Sequence, residues 1–167
     1  SGSPIALVGA TNITTMRTAG GHGVVQAQHL ANPDPAVLSV FGCGAQAKAG
    51  IQGFLEGFPT LKQLRLFSRS RKPMEEVRTR LSDRIEVVIC DSPEQALAGS
   101  NLVLMASGAQ QPLLYMDQIR PGTTIIGIEG FRDLDPQIGR KADKWYLGYK
   151  QPDAHIIESA LLNPGGT

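Results

Sequence analysis

The stretch Val37-Leu-Ser-Val-Phe-Gly-Cys-Gly-Ala-Gln-Ala47 joins a short apolar run to two closely spaced glycines and a helix-like pattern. A strand that leads through such a turn into a helix is the context in which Gly-x-Gly-x-x-Ala binds a dinucleotide. Gly42 permits the tight turn, Gly44 lets the backbone approach a pyrophosphate, and Ala47 permits close helix packing. Unpaired N–H groups at the helix start favour the anion. The alternative is a glycine-rich turn without a ligand, but the order of strand, turn and helix favours a dinucleotide site.

Composition excludes several classes of protein. The 167 residues include 41% hydrophobic and 19% charged residues, which is typical of a globular domain. A formal net charge of +1 gives no reason to expect nucleic acid or a membrane as a partner. No apolar run approaches the roughly 20 residues that span a bilayer, and no signal-peptide pattern is present, so we expect a cytoplasmic protein. The two cysteines, Cys43 and Cys90, are too few for a zinc site, and no metal is expected.

Strand-like and helix-like segments alternate along the chain, which predicts an α/β fold with a parallel sheet. Strands are expected at 37–42, 64–67, 85–89, 101–105, 123–128 and 145–147. Helices are expected at 14–31, 45–57, 72–82, 92–99 and 135–142. Thr14 or Thr15 is the expected cap of the first helix, and Ser92 begins another with proline and glutamine at favourable positions. Right-handed crossovers then predict a Rossmann-type doubly wound sheet in the order 3-2-1-4-5-6.

Ligands of such sheets bind beyond the carboxyl ends of the strands, where the strand order reverses. Several residues follow predicted strands at that edge, and we expect them to surround one crevice and to contact a cofactor. These residues are Gly42, Gly44, Ala45, Gln46, Ser68, Ser107, Ile128 and Glu129.

The residues after the second strand indicate the type of dinucleotide. NAD-binding domains usually carry an acidic residue about 20 positions beyond the glycines, where it holds the ribose 2′-hydroxyl. This chain has Ser68-Arg-Ser-Arg-Lys72 there, with no acid. Guanidinium and hydroxyl groups form charge-assisted hydrogen bonds with a 2′-phosphate, which a carboxylate would repel. Ser68, Arg69 and Ser70 therefore favour NADP(H) over NAD(H), and the alternative is a solvated basic loop at the start of a helix.

Four motifs, in the same order along the chain, resemble those of the ornithine cyclodeaminase/mu-crystallin family. They are Ile13-Thr-Thr-Met-Arg-Thr-Ala19, Phe41-Gly-Cys-Gly-Ala-Gln-Ala47, Ser107-Gly-Ala-Gln-Gln-Pro112 and Arg120-Pro-Gly-Thr-Thr-Ile125. The resemblance spans nearly the whole chain. It implies that the full-length protein uses NAD(P) to reduce an imine or ketimine, to oxidise or form an amino acid, or to cyclise ornithine with loss of ammonia. A ligand-binding protein without turnover is a further alternative.

The resemblance also implies a division of the chain. Residues 1–35 would connect two domains and lead into the fold, 36–148 would form the dinucleotide-binding domain, and 149–167 would lead towards a substrate and dimerisation domain. Most of that domain is missing from this sequence, so the same or another chain would supply it. We expect a homodimer when full-length, with a small amino-acid-like or imine substrate. The present chain alone is expected to be inactive.

Three residues are candidates for contact with the substrate. Arg17 matches the family arginine that holds the substrate carboxylate, a role suited to a guanidinium with two parallel donors; the alternative is a surface arginine. His22 is either a proton donor or a partly exposed interface histidine. Phe131 occupies the position of the catalytic aspartate of ornithine cyclodeaminases. Glu129, two residues earlier, is a further catalytic candidate that could contact the nicotinamide carboxamide or a substrate amine. Asp133 and Asp135 are expected to cap the following helix.

Overall fold

The computed structural model describes residues 2–31, 34–128 and 131–146, and a parallel sheet lies at its centre. The order of the five strands is β3-β2-β1-β4-β5. The strands are β1 Val37–Phe41, β2 Gln63–Phe67, β3 Glu86–Ile89, β4 Leu102–Met105 and β5 Thr124–Gly127. In the middle of the sheet, Val40 pairs with Leu66 on one side and with Leu104 on the other. The predicted Rossmann-type sheet and the order of its first five strands are confirmed.

The sixth predicted strand, at 145–147, is not present where the structure can test it. Trp145 and Tyr146 form no strand, and Leu147 lies outside the described residues. The apolar run is only three residues long and directly follows Asp143 and Lys144, so it is shorter than the usual strand of about five or six residues.

The first helical stretch runs from Thr11 to Leu30 in three parts. It consists of α1 Thr11–Thr15, a π-helical segment Met16–Gly23, and α2 Val24–Leu30. The prediction that Thr14 or Thr15 caps this helix is wrong, because Ala10 is the N-cap residue and both threonines lie inside. Thr15 Oγ1 instead donates to the carbonyl of Thr11 at 2.8 Å, which is how a threonine within a helix commonly satisfies its hydroxyl.

Four further helices follow strands β1, β2, β3 and β5, and they agree closely with the predicted ranges. They are α3 Ala45–Gly57, α4 Arg71–Leu81, α5 Pro93–Leu97 and α6 Pro136–Lys141. The hydroxyl of Ser92 accepts a hydrogen bond from the backbone N–H of Gln95 at 3.3 Å, as expected for the start of α5. The carboxylate of Asp135 accepts from the N–H of Gln137 at 2.9 Å and caps α6.

The side chains of β1 alternate between two apolar layers. Leu38 and Val40 face the layer that contains α3, and Phe41 faces the layer that contains α5 and α6. The α3 layer includes the fully or nearly fully buried residues Ile51, Phe54, Leu64, Leu66, Leu102 and Leu104. The opposite layer includes Val103, Met105, Leu114, Leu134 and Ile138. Burial on both faces explains why the central strands read as nearly continuous apolar runs.

Candidate functional site

The turn between β1 and α3 depends on a glycine at position 42. Gly42 has φ +102°, and a Cβ there would stand 2.1 Å from the carbonyl oxygen of Ala106. Its N–H donates to the carbonyl of Phe67 at 2.8 Å, so the turn passes between the ends of β2 and β4. A side chain at Gly42 would both clash with the neighbouring backbone and strain this conformation. The structure thus places Gly42, the first glycine of the dinucleotide fingerprint Gly42–Ala47, where the strand order reverses.

Gly44 lies in open space at the N-cap of α3. No described heavy atom lies within 4 Å of the position that a Cβ on Gly44 would occupy. No side chain caps this helix, and its first turn carries no acidic residue. The N–H groups of Ala45 and Gln46 therefore begin a 13-residue helix without a capping side chain. Open space in front of uncapped helix amides is the geometry that binds a phosphate.

Ala47 and Gln46 face the protein rather than this open space. Ala47 is fully buried, which agrees with a small residue chosen for close packing. The side-chain oxygen of Gln46 is buried and has no hydrogen-bond partner among the described residues. An unsatisfied buried acceptor of this kind costs about 1–3 kcal/mol, so the fingerprint turn retains a polar group that is not used in the fold itself.

The residues after β2 lie at the same edge of the sheet. Ser70 is the N-cap residue of α4, but its hydroxyl accepts no capping hydrogen bond, and the first turn of α4 contains no acid. Arg69 is exposed and, within the described part of the chain, forms no ion pair. Arg71 differs, because its guanidinium contacts Asp91 at 3.2 Å and Glu75 at 3.4 Å. The predicted cofactor residues Ser68, Arg69 and Ser70 are thus available to a ligand.

Ser107 follows β4 and contacts an aspartate that the sequence analysis placed elsewhere. Its hydroxyl donates to Asp133 Oδ2 at 2.7 Å and accepts from the N–H of Ala109 at 3.1 Å. Asp133 is only 3% exposed, and burial raises the pKa of its carboxyl group above the ordinary range. Hydrogen bonds from Ser107 and from the Asp133 backbone lower that pKa in part.

The expectation that Asp133 caps the following helix is therefore wrong, whereas the same expectation for Asp135 is correct. Asp135 directly precedes Pro136 at the first helical position, so it occupies the N-cap. Asp133 lies two residues earlier, in the 3₁₀ turn Phe131–Asp133, and is directed towards the end of β4. The contact between Ser107 and Asp133 was missed because nothing in their local sequences links them. The adjacency of β4 and β5 was the available signal.

Ile128 and Glu129 were expected at the end of β5. Ile128 is half-buried, and its N–H donates to the carbonyl of Met105 at 3.2 Å, so it lies beside the end of β4. A Cβ on Gly23 would stand 3.9 Å from Ile128 Cγ2, which places Ile128 against the first helical stretch. Glu129 lies outside the described residues.

The position of Arg17 follows from the packing of the first helical stretch against α3. A Cβ on Gly53 would stand 2.3 Å from the carbonyl oxygen of Gly20, and one on Gly57 would stand 2.6 Å from Val24. Both helices therefore advance in the same direction where they touch. Arg17 precedes Gly20 and thus lies towards the N-terminal end of α3, with its side chain exposed. It lies in the π-helical segment, an element found frequently at functional sites.

His22 lies farther along the same stretch, and its ring is 3.0 Å from the side-chain nitrogen of Gln26. Both residues line a cavity of about 1000 Å³ beside β5, together with Ile126, Ile128 and Asp133. This cavity includes neither the Gly42–Gln46 turn nor Ser68–Ser70. Outside this cavity, the strand ends bring together Gly42–Gln46, Ser68–Ser70 and Ser107, whereas His22 and Ile128 line the cavity. An extended dinucleotide lies across strand ends, so the open edge is the better candidate.

The described residues form neither a cluster that could hold a metal ion nor a membrane-spanning helix. Within residues 2–31, 34–128 and 131–146, no cluster of three or more His, Cys, Asp or Glu side chains is arranged to hold a metal ion. In the same ranges, no helix combines the length and apolar character needed to span a membrane. Cys43 and Cys90 are both buried, and burial raises the pKa of each thiol, so neither is an activated nucleophile.

Comparison with known proteins gives consistent matches. The sequence model of the ornithine cyclodeaminase/mu-crystallin family matches residues 1–157. Ketimine reductase mu-crystallin of Mus musculus is 27% identical over 146 residues, which cover 85% of this chain and 45% of that protein. An uncharacterized cyclodeaminase of Sinorhizobium fredii is 28% identical over 137 residues, covering 78% of this chain and 41% of that protein.

A solved structure extends the comparison to the fold. Thermococcus litoralis Δ1-pyrroline-2-carboxylate reductase, in complex with NADH and L-proline, has a TM-score of 0.74 and 28% identity to this chain. The match covers 85% of this chain and 45% of that one. The present chain thus spans less than half the length of these relatives.

Proposed function

We propose, since this chain belongs to the ornithine cyclodeaminase/mu-crystallin family, that it is the NADP(H)-binding part of an oxidoreductase acting on an imine, ketimine or amino acid. The observation that carries this proposal is the open, uncapped start of α3 behind Gly42, at the reversal of strand order. The similarity to ketimine reductase mu-crystallin and to Δ1-pyrroline-2-carboxylate reductase supports a substrate with a carbon–nitrogen bond at the reacting carbon.

The geometry supports one orientation of the dinucleotide. The amides of Gly44, Ala45 and Gln46 would hold the pyrophosphate. The adenosine half would lie over the end of β2, where such folds hold the ribose. The nicotinamide half would then extend over the ends of β4 and β5, beside Ser107 and Ile128. When bound, the cofactor supplies the hydride chemistry, and this chain contributes orientation and electrostatics.

Preference for NADP(H) is supported by the residues after β2. Arg69 is exposed without an ion-pair partner in the described ranges, and Ser70 has an unused hydroxyl at the start of α4. The nearest acid described at the end of β3, Asp91, is paired with Arg71. A 2′-phosphate would meet a cation and hydroxyls, and the acid described beside them, Asp91, is already paired with Arg71. The relative from Thermococcus litoralis is in complex with NADH, which supports a nicotinamide dinucleotide as the ligand of this fold.

The remainder of the active site would come from outside this chain. Arg17 would hold a substrate carboxylate near the nicotinamide, because it lies towards the fingerprint end of α3. Ile5 and Leu7, in the segment before α1, are 99% and 100% exposed. Apolar side chains exposed in this way support residues 1–35 as a connection that a substrate and dimerisation domain covers. Residues 36–148 would be the dinucleotide domain, and 149–167 would lead back to the other domain.

A cyclodeaminase-type lyase is the second candidate function, favoured by the similarity to the cyclodeaminase of Sinorhizobium fredii. The two reactions differ in their use of cofactor. A reductase consumes one NADPH for each product formed, whereas a cyclodeaminase regenerates its bound dinucleotide. Product formation without net NADPH consumption by the full-length protein would favour the lyase.

Binding of NADPH tests the proposed site. Gly44→Val should abolish binding, because a branched side chain would fill the space that the pyrophosphate must enter. Ala98→Val is the matched control, since Ala98 is exposed and precedes β4 at the opposite edge of the sheet. Isothermal titration calorimetry should show NADPH binding to the unmodified chain and to Ala98→Val, and no binding to Gly44→Val. Equal affinity in Gly44→Val would show that the fingerprint turn does not bind the dinucleotide.

A further inference from the structure

We propose that Asp133 is a positioning residue, which holds the turn after β4 in the shape that receives the nicotinamide half of the cofactor. This inference rests on the proposed dinucleotide function. It assigns a role to a buried carboxylate that the pyrophosphate and ribose contacts described above do not use.

The contact between Asp133 and the turn is specific. Ser107 Oγ donates to Asp133 Oδ2 at 2.7 Å, and the same hydroxyl accepts from the N–H of Ala109 at 3.1 Å. The carboxylate therefore orients the hydroxyl proton, which leaves the oxygen lone pairs available to the Ala109 amide. Gly108, between the two hydrogen-bonding residues, has φ +61°. Asp133 thus fixes a tight turn through one side chain.

A second set of contacts fixes the far side of the same turn. The N–H of Leu113 donates to the backbone carbonyl of Asp133 at 2.8 Å. The Arg132 guanidinium donates to Gln110 Oε1 at 2.6 Å. Residues 107–113 are therefore joined at both ends to the short segment Arg132–Asp133, which follows β5 along the chain. The position of the segment Arg132–Asp133 therefore determines the shape of the turn at residues 107–113.

The turn lies beside the fingerprint. A Cβ on Gly42 would stand 2.9 Å from Ser107 Cα, so Ser107 directly borders the first fingerprint glycine. Because the adenosine half extends from this point towards β2, the nicotinamide half extends towards β4. A displacement of Ser107 would therefore affect that half of the cofactor before the other.

The cost of the arrangement favours a functional role. Asp133 is 3% exposed, and removal of a carboxylate from water is unfavourable even when it is hydrogen-bonded. Leu134, the next residue, and Leu114 are buried in the apolar layer that contains α6. An apolar side chain at position 133 would avoid the cost of burying a carboxylate. A buried acid that lowers the stability of the fold is typical of a functional site. The position of Asp133 near the ends of β4 and β5 therefore favours a role in binding.

The test separates the two halves of the cofactor. NADPH and 2′-phospho-ADP-ribose, which is NADPH without its nicotinamide ring, are titrated into the same proteins by calorimetry. Asp133→Ala should weaken NADPH binding roughly three- to tenfold, as loss of about one hydrogen bond of orientation predicts, and leave 2′-phospho-ADP-ribose within about twofold. Asp133→Asn keeps an acceptor oxygen for Ser107 and should restore most of the NADPH affinity.

Two companion variants keep the result interpretable. Ser107→Ala removes the same hydrogen bond with a smaller change in the side chain, and it should weaken NADPH binding in the same selective way. It takes the place of Asp133→Ala if that variant does not fold. Asp135→Ala is the matched control, because Asp135 caps α6 and contacts Met116 rather than Ser107. This variant should lower the stability of the chain without a selective loss of affinity for NADPH relative to 2′-phospho-ADP-ribose.

The contrary outcomes are distinct. Equal losses for NADPH and 2′-phospho-ADP-ribose would make Asp133 a general structural residue and overturn the inference. Unchanged NADPH affinity in both Asp133→Ala and Ser107→Ala would also overturn it. Failure of the unmodified chain to bind either compound would instead overturn the proposed function on which the inference rests.

Discussion

Exchange of two residues after β2 should reverse the choice between NADPH and NADH. The double variant Ser68→Asp, Arg69→Ala places a carboxylate where we propose that the ribose lies, and it removes a guanidinium that forms no ion pair among the described residues. A charge-assisted hydrogen bond contributes about 1.5–3 kcal/mol, which corresponds to roughly a ten- to hundredfold difference in affinity. Arg69 is exposed, so solvent screening favours the lower end of this range. We therefore expect the unmodified chain to bind NADPH roughly tenfold more tightly than NADH, and the variant to lose or reverse that ratio.

The assay is fluorescence or calorimetric titration of both reduced cofactors at about 0.15 M salt, where long-range charge effects are limited. Arg80→Ala is the matched control, since Arg80 is an exposed arginine in the last turn of the same helix, α4. It removes the same charge but lies away from Ser70 and should leave the ratio unchanged. Equal dissociation constants for NADH and NADPH in the unmodified chain would refute the reasoning and leave Arg69 as part of a solvated helix start.

The buried carboxyl group of Asp133 should make the stability of the chain depend on pH. Burial raises the pKa of the Asp133 carboxyl group in the folded chain above its value in the unfolded chain. The folded chain therefore holds this proton more tightly, and the stability that this gives is complete at low pH and is lost as pH rises through the folded pKa. The unfolding free energy of Asp133→Asn relative to the unmodified chain should therefore increase as pH rises from about 4 towards neutrality, and a difference independent of pH in denaturant titrations would contradict this. The chain alone should not oxidise NADPH with Δ1-pyrroline-2-carboxylate, because we propose that most substrate contacts come from a domain outside this sequence. Steady loss of absorbance at 340 nm above a no-enzyme blank would contradict that proposal.

The strands and helices of this fold could be predicted because their signals are local. Apolar runs such as Leu102–Met105 are bounded by turn residues, and Ser92 begins α5 through contacts within one helical turn. The cap of the first helix could not be predicted in the same way. Thr14 and Thr15 have the chemistry of caps, but the helix continues past them towards Ala10 and uses Thr15 for an internal hydrogen bond.

In the candidate site, too, the residues with a local sequence signal could be predicted, and those that depend on contacts between distant segments could not. Gly42 and Gly44 were identifiable because a tight turn and an open approach both require glycine in a fixed spacing. The contact between Ser107 and Asp133 joins residues 26 positions apart, and it exists only because β4 and β5 are neighbours. The location of Arg17 likewise depends on the close contact of Gly20 with Gly53, which no local pattern reveals.

The most direct test of the central claim is to observe the backbone amides of the fingerprint while NADPH is added. In a ¹H–¹⁵N correlation spectrum of the labelled chain, the largest shift changes should occur at Gly44, Ala45 and Gln46, because their N–H groups would face the pyrophosphate. Smaller changes should follow at Arg69 and Ser107. Saturable changes centred on His22 and Gln26, in the cavity beside β5, with the Gly44–Gln46 amides unmoved, would contradict the account.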